Sequence, residues 1–184
     1  MVPLFLDCLS ACWDKWYNEG EYLTMKEKLY IETSVVSYLA ARTSRDLLIA
    51  ARQEATAEFW TKLHSSGSKG YVSTLVHHEA RQGDPEQART RMEAISSFTV
   101  LDIDQEAQAL AEQILAAKAI PAEYPDDALH MAVAAVNGMD ALVTWNFAHL
   151  NNPIARLQIR QVVEGNGYQC PEVCSPDELL EIEL

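Results

Sequence analysis

Long hydrophobic runs are missing from this sequence of 184 residues. The apolar start, MVPLFLDCLSACW, is interrupted by Asp7 and has no basic residues before it, so it predicts neither a signal peptide nor a membrane span. No later stretch is long enough to cross a bilayer. We therefore expect a cytoplasmic protein without a membrane partner.

Basic residues are also scarce. Lys and Arg number 14 against 27 Asp and Glu, which gives a formal net charge of −13. This balance argues against a broad basic surface that grips duplex nucleic acid by counterion release, while leaving room for a small basic cleft. A cluster of acids that binds cations would add to the negative total.

Cysteine is rare, and its spacing suggests two interpretations. The four cysteines form two C-x3-C pairs, Cys8/Cys12 and Cys170/Cys174. A zinc site of four thiolates tolerates this spacing, but the pairs lie at opposite ends of the chain without glycine-rich turns. Reduced thiols of a cytosolic protein are the preferred interpretation.

Several catalytic motifs are absent. The sequence contains no G-x-S-x-G elbow, no Walker A loop and no G-x-G-x-x-G fingerprint. These absences argue against acyl hydrolases, P-loop enzymes and dinucleotide-dependent oxidoreductases.

What the sequence does contain is a regular alternation of strands and helices. Strands are predicted at 29–32, 71–74, 98–103, 141–145 and near 170–174. Helices are predicted at 34–42, 46–66, 75–82, 85–97, from 104, from 126, at 153–165 and at 176–180. This order is typical of an α/β sandwich with a parallel sheet covered on both faces. The length suits one domain, predicted at 25–184, with residues 1–24 as an extension outside the fold.

Four oxygen-bearing side chains accompany the predicted strand ends. Glu32 ends the first strand, and Glu79 lies on the helix after the second. Asp127 begins the helix that leads to the fourth strand, and Asn146 follows that strand. Ligands bind beyond the carboxyl ends of parallel strands, and packed carboxylates require a cation such as Mg²⁺ or Mn²⁺. The pattern therefore predicts metal-assisted hydrolysis of a phosphodiester.

Three segments carry a family resemblance. LYIETSVVSYL, YVSTLVHHEARQGDP and YPDDALHMAVAAVNGMDALVTWNFAHL resemble successive motifs of PIN domains, especially bacterial VapC-type toxins, over about residues 28–180. The resemblance implies a three-layer α/β/α sandwich with a central parallel sheet. It also implies a metal-dependent endoribonuclease that acts on RNA, commonly forms a homodimer and is neutralised by a cognate antitoxin protein.

The resemblance assigns roles by position. Glu32, Glu79 and Asp127 match the family's acids, and Asn146 stands where many members have a fourth acid. Glu32, Asp127 and Asn146 would hold Mg²⁺ or Mn²⁺, and Glu79 would orient water or hold a second ion. Supporting roles fall to Thr33, Ser34, Thr144, Asp126 and His130.

Two departures from the family pattern bear on activity. Glu32 replaces the usual Asp, and Asn146 is neutral, so a second metal would bind more weakly and catalysis would be reduced. The alternatives are a catalytically weakened PIN scaffold that binds a partner, or a DNA-directed nuclease or phosphatase that uses the same cation site.

Each candidate also has an ordinary structural interpretation. Glu32 would cap the following helix, Glu79 would pair with Arg81 or Arg89, and Asn146 would favour a turn. Asp126 would act as a helix cap or support Asp127. His130 is interpreted as a packed, hydrogen-bonded histidine of an apolar helix.

Two further pairs of residues have candidate binding roles. His77 and His78 are adjacent on a helix and point in different directions, which disfavours a shared metal ion. Arg42 and Arg45 would clamp RNA phosphate or an antitoxin carboxylate, or would simply be solvated.

Overall fold

The computed structural model describes residues 27–181. Five parallel strands form one sheet, in the spatial order β3-β2-β1-β4-β5. Their bounds are β1 Lys28–Ile31, β2 Lys69–Ser73, β3 Thr99–Leu101, β4 Ala141–Val143 and β5 Glu172–Cys174. The predicted extension 1–24 and the Cys8/Cys12 pair lie outside the described residues.

Eight helices connect the strands within residues 27–181. Their bounds are α1 Thr33–Ala40, α2 Leu47–Ser66, α3 Thr74–Ala80, α4 Pro85–Ala94, α5 Gln105–Ala116, α6 Pro125–Val136, α7 Pro153–Gly165 and α8 Pro176–Leu180. None of these helices is long and apolar enough to cross a membrane.

The helices pack in two groups, one on each face of the sheet. Helix α5 contacts α6 and α7, whereas α1 contacts α2, α3 and α4, and α2 contacts α8. The result is the predicted three-layer α/β/α sandwich with a central parallel sheet. Because both faces are covered, the central strands are apolar throughout: every residue of β4 is buried, as are the last three of β1.

Sequence signals at helix ends are confirmed where a side chain caps the backbone. Asp84 accepts a hydrogen bond from the amide of Gln87, with Pro85 at the first helical position, and Asp104 caps α5 through the amide of Ala107. The predicted helix 85–97 was too long, because the Ser96 hydroxyl and amide both bind the carbonyl of Glu93 and form a turn.

The fourth strand is also shorter than the predicted 141–145. Its hydrogen-bond ladder ends at Thr144, whose amide donates to the Cys174 carbonyl. The next amide, that of Trp145, donates instead to the Ser34 hydroxyl at 2.9 Å. A side chain from α1 thus ends the strand and joins it to the end of β1.

Arg91 on α4 is buried and holds the end of α3. Its Nε donates to the carbonyl of Ala80 at 2.9 Å, and a terminal nitrogen donates to the carbonyl of Gln82. Arg91→Met is expected to lower the free energy of unfolding by about 2 kcal/mol, because two inward-facing carbonyls lose their donor. Urea unfolding measures this change.

The matched control is Arg89→Met on the same helix. Arg89 is exposed and only approaches Glu93 at 3.8 Å, so its loss should change the free energy of unfolding by less than about 0.5 kcal/mol. Equal losses for the two variants would contradict the role assigned to Arg91.

Candidate metal centre

Glu32 lies directly after β1 and has two structural contacts at once. Its amide donates to the carbonyl of Val143 at 3.0 Å, which continues the pairing of β1 with β4. Its side chain caps α1, with Oε1 accepting the Ser34 amide at 3.0 Å, so the predicted capping role is confirmed. Its carboxylate is nevertheless buried at the carboxyl end of the sheet, with 7% of the residue exposed.

Hydroxyl groups fix the orientation of this carboxylate. Oε2 of Glu32 accepts hydrogen bonds from the Thr144 hydroxyl at 2.7 Å and from the Ser34 hydroxyl. The Thr144 oxygen also accepts the amide of Asn146 at 2.9 Å. Because these donors come from α1 and from the end of β4, they hold the carboxylate in one orientation.

Glu79 lies on the last turn of α3 and reaches the same region. Its Oε2 accepts hydrogen bonds from the Thr33 hydroxyl and from Nε2 of His130, the latter at 3.1 Å. Among the described residues, Glu79 forms neither of its predicted alternative pairs, with Arg81 or with Arg89, and its ion-pair partner is His130. Glu79 is half-buried and directed inward.

The carboxylate form of Glu79 is favoured. Burial by itself would raise the pKa of Glu79, but the hydrogen bond and positive charge of His130 and the hydrogen bond from Thr33 outweigh burial. The charge of His78 acts in the same direction, so the pKa lies below its usual range. At neutral pH, Glu79 therefore provides a negative charge.

His130 is packed and hydrogen-bonded, as its ordinary structural interpretation predicted. Its Nδ1 lies 2.8 Å from the Tyr30 hydroxyl, which lies 2.7 Å from the Ser73 hydroxyl. The Ser73 oxygen accepts the Val76 amide at 3.3 Å. Because the ionised carboxylate of Glu79 can only accept a hydrogen bond, Nε2 of His130 carries the hydrogen and donates it to Glu79.

The charge around His130 favours its protonated form. Burial would lower the pKa of His130, but the hydrogen bond to Glu79 and the charges of Glu32, Glu79 and Asp127 raise it above its ordinary value. In contrast, burial raises the pKa of the Tyr30 phenol, with the charges of Glu32 and Glu79 adding to the effect. Tyr30 therefore stays neutral and keeps its hydrogen for the network.

Glu32, Glu79 and His130 form one cluster. One potential ligand atom from each lies within 4.8 Å of the others, close enough to surround a single ion. The two carboxylates match the hard oxygen ligands that Mg²⁺ and Mn²⁺ take. Nε2 of His130 faces Glu79 and lies 3.9 Å from Oε1 of Glu32, so it is placed to orient and neutralise the carboxylates.

Asp127 lies outside this cluster and has a different partner. Its Oδ2 is 2.8 Å from Nδ1 of His149, a residue of the loop after β4. The ring of His149 packs on Tyr124, with centroids 3.7 Å apart. The acid nevertheless lies near enough to raise the pKa of His130, so it borders the cluster.

Asp126 was predicted to act as a helix cap or to support Asp127, and the structure contradicts the cap role. The N-cap position of α6 is Tyr124, and Pro125 occupies the first helical position. Asp126 is therefore the second helical residue, exposed, and contributes only a negative charge to the first turn. Because α6 begins at Pro125, Asp127 is its third residue, and its side chain points toward the loop after β4.

Asn146 begins that loop. Its Oδ1 accepts the amide of His149 at 3.0 Å, and its carbonyl accepts the amides of Leu150 and Asn151. These contacts are typical of a turn residue. The ligand role of Asn146 stays a prediction.

The remaining candidates lie apart from the cluster. Arg42 is exposed and pairs with Glu86 at 3.7 Å, and Arg45 is also exposed. Cys170 and Cys174 are buried and free, and burial raises the pKa of the Cys170 thiol to about 12. Both thiols thus remain protonated, and the four-thiolate zinc prediction involves Cys8 and Cys12, outside the described residues.

Sequence reasoning missed His149 and Tyr30. His149 lies in NFAHL, a loop without periodicity, and its closeness to Asp127 follows from the folding of that loop. Tyr30 resembled an ordinary core residue of an apolar strand. A buried tyrosine hydroxyl requires a partner, and that rule was the available signal.

Comparisons with known proteins identify the fold. The sequence matches no family model and no curated protein. Among solved structures, the chain is similar to one in the crystal structure of VapBC2 from Rickettsia felis bound to a DNA fragment from their promoter. The TM-score is 0.50 at 14% identity, over 69% of this chain and 94% of that one. The chain therefore has a PIN-like α/β/α fold, similar to that of a VapBC structure.

Proposed function

We propose that this protein is a metal-dependent endoribonuclease and the toxin of a type II toxin–antitoxin pair. The observation that carries the proposal is the pair of carboxylates, Glu32 and Glu79, held by hydroxyl groups at the carboxyl edge of a PIN-like sheet. The similarity to a VapBC structure supports the toxin assignment. The active unit would be residues 25–184, in the cytoplasm, as a homodimer with a cognate antitoxin.

The residues present suit Mg²⁺ or Mn²⁺. Glu32 and Glu79 would hold the ion, Asp127 would join them, and Asn146 would add an amide oxygen. When bound, such an ion lowers the pKa of water and stabilises negative charge on a phosphoryl group.

The chain's own groups would prepare this reaction. The hydroxyls of Thr33, Ser34 and Thr144 hold the two carboxylates in position before substrate arrives, which reduces reorganisation. His130 donates to Glu79 and lessens the repulsion between the acids. His149 positions Asp127 on the other side of the cluster.

The second candidate function is a catalytically weakened PIN scaffold that binds a partner. The hydrogen bond made by the side chain of Asn146 favours it. Its side-chain oxygen binds the amide of His149, so an ion would have to share or displace that contact. Such a protein would bind an antitoxin or RNA and cleave slowly or not at all.

A cleavage assay on pooled single-stranded RNA tests the proposal. The purified full chain should cleave RNA with Mn²⁺ or Mg²⁺ and be inactive with EDTA, and Asp127→Asn should slow cleavage by about 100-fold. The neighbouring Asp126→Asn is the matched control: it makes the same charge change at an exposed position and should keep the rate within about twofold.

Three results would contradict the proposal. One is RNA cleavage that persists with EDTA, and another is equal rates for Asp127→Asn and wild type. The third is cleavage of single-stranded DNA or p-nitrophenyl phosphate without cleavage of RNA, which would assign the site to a DNA nuclease or a phosphatase. Absence of cleavage with every metal would favour the weakened scaffold.

A further inference from the structure

Two exposed aromatic rings lie next to residues that border the candidate metal centre. Tyr124, directly before α6, is 46% exposed, and Phe147, directly after Asn146, is 40% exposed. Tyr124 packs on the ring of His149, which in turn binds Asp127. Both rings therefore belong to the border of the site.

Both rings are held in place by neighbours. The rings of Tyr124 and His149 lie 3.7 Å apart with planes inclined by 31°. The guanidinium of Arg52 lies over Phe147 at 4.9 Å from the ring centroid, and over the buried ring of Trp145 at 5.4 Å. The amide of Phe147 donates to the carbonyl of Trp145 at 3.0 Å, which fixes the turn that presents the ring.

The charge of the protein limits how it can bind a nucleic acid. With a formal charge of −13, neutralisation of many phosphates over a broad basic surface is not expected to supply most of the affinity. Stacking of a base on an aromatic ring contributes about 1–3 kcal/mol per base and does not depend on net charge. Aromatic rings at the border of an acidic site therefore provide a source of affinity for a nucleic acid that does not depend on basic residues.

We infer that Tyr124 and Phe147 each stack on an unpaired base of the RNA strand that is bound at the metal centre. This inference rests on the proposed function and specifies its substrate: single-stranded RNA, recognised mainly through base faces. The guanidinium of Arg52, which lies over the ring of Phe147, provides a positive charge near the bound RNA strand. A duplex binds poorly because its bases are stacked on one another.

Binding measurements test the inference without cleavage. The probe is a fluorescein-labelled eight-nucleotide RNA, and the protein is the full chain carrying Glu32→Gln to prevent hydrolysis. Tyr124→Leu and Phe147→Leu should each weaken binding by about tenfold, because leucine keeps apolar area but lacks a π face. Tyr124→Phe should bind within about twofold of its parent, since it retains the stacking ring.

Two further controls sharpen the test. Leu157→Ala removes an exposed apolar side chain from α7 and should leave RNA affinity unchanged. The logarithm of the binding constant should fall with the logarithm of salt concentration with a slope of about −1, as expected for one or two phosphate contacts. A duplex of the same sequence should bind at least about tenfold more weakly.

Failure here is distinguishable from failure of the proposed function. Unchanged RNA affinity in Tyr124→Leu and Phe147→Leu, a salt slope steeper than about −4, or equal affinity for the duplex would overturn the inference. If the wild-type chain also cleaves RNA, the proposed function survives that result. Ring-dependent binding by a chain that never cleaves would instead support the inference and overturn the nuclease assignment.

Discussion

Glu32→Gln is expected to lower the rate of metal-dependent RNA cleavage by about 1,000-fold, or about 4 kcal/mol of transition-state stabilisation. Glu32 is the most buried acid of the cluster and provides one of its two negative charges. The amide of glutamine has no charge to hold the ion. Cleavage rates at saturating Mn²⁺ and Mn²⁺ affinity by calorimetry measure the effect.

The same substitution should leave the fold intact. The amide oxygen can accept the Ser34 amide, and the amide nitrogen can donate to the hydroxyl oxygens of Ser34 and Thr144, which serve equally as acceptors. We expect the free energy of unfolding in EDTA to change by less than about 1 kcal/mol. Glu86→Gln, an exposed change on α4, is the control for charge loss and should cleave normally. A Glu32→Gln variant that keeps its Mn²⁺ affinity would exclude Glu32 as a ligand.

His130→Ala is expected to lower the free energy of unfolding in EDTA by about 3–4 kcal/mol. The side chain is almost fully buried, at 1% exposure, so its removal creates a cavity. The substitution also takes a partner from the Tyr30 hydroxyl and from Glu79. Urea unfolding measures the loss, and His78→Ala, an exposed change on α3, should alter stability by less than about 0.5 kcal/mol.

A variant without ring nitrogens separates orientation from ligation at His130. In His130→Phe, Mn²⁺ should still raise the unfolding midpoint, because the carboxylates of Glu32 and Glu79 remain to bind the ion and ligand binding stabilises the folded state. If Mn²⁺ no longer stabilises this variant, His130 is itself a ligand, and the oxygen-only interpretation of the site is wrong.

The layers of the fold and the position of the site followed from sequence patterns. Glu32 at the end of an apolar segment was enough to predict both a cap and a place at the sheet edge, and the structure has both. The periodicity of apolar residues indicates which side chains face the core, and the alternation of strands and helices indicates that the sheet is parallel. These signals are local or repetitive, so a single sequence carries them.

The hydrogen-bond partners across the site could not be predicted from the sequence. The partner of Tyr30 is 100 residues away, and Asp127 pairs with a loop histidine 22 residues beyond it. Both contacts depend on rotamers and loop geometry, which leave no periodic trace in the sequence. Asp126 was misplaced for a different reason: either of two adjacent acids suits a cap, but Pro125 occupies the first helical position and places both acids inside the helix.

The bond between Thr144 and Glu32 spans 112 residues of chain, and the bond between His130 and Glu79 spans 51. The centre therefore needs two donors, from α6 and from the end of β4, that follow both acids in the chain, and β4 must first join β1 in the sheet. A growing chain that has not reached them contains both acids and their nearby hydroxyl donors, but lacks His130 and Thr144. Whatever chemistry the centre performs, it requires a chain that has been synthesised beyond Thr144 and has placed β4 in the sheet.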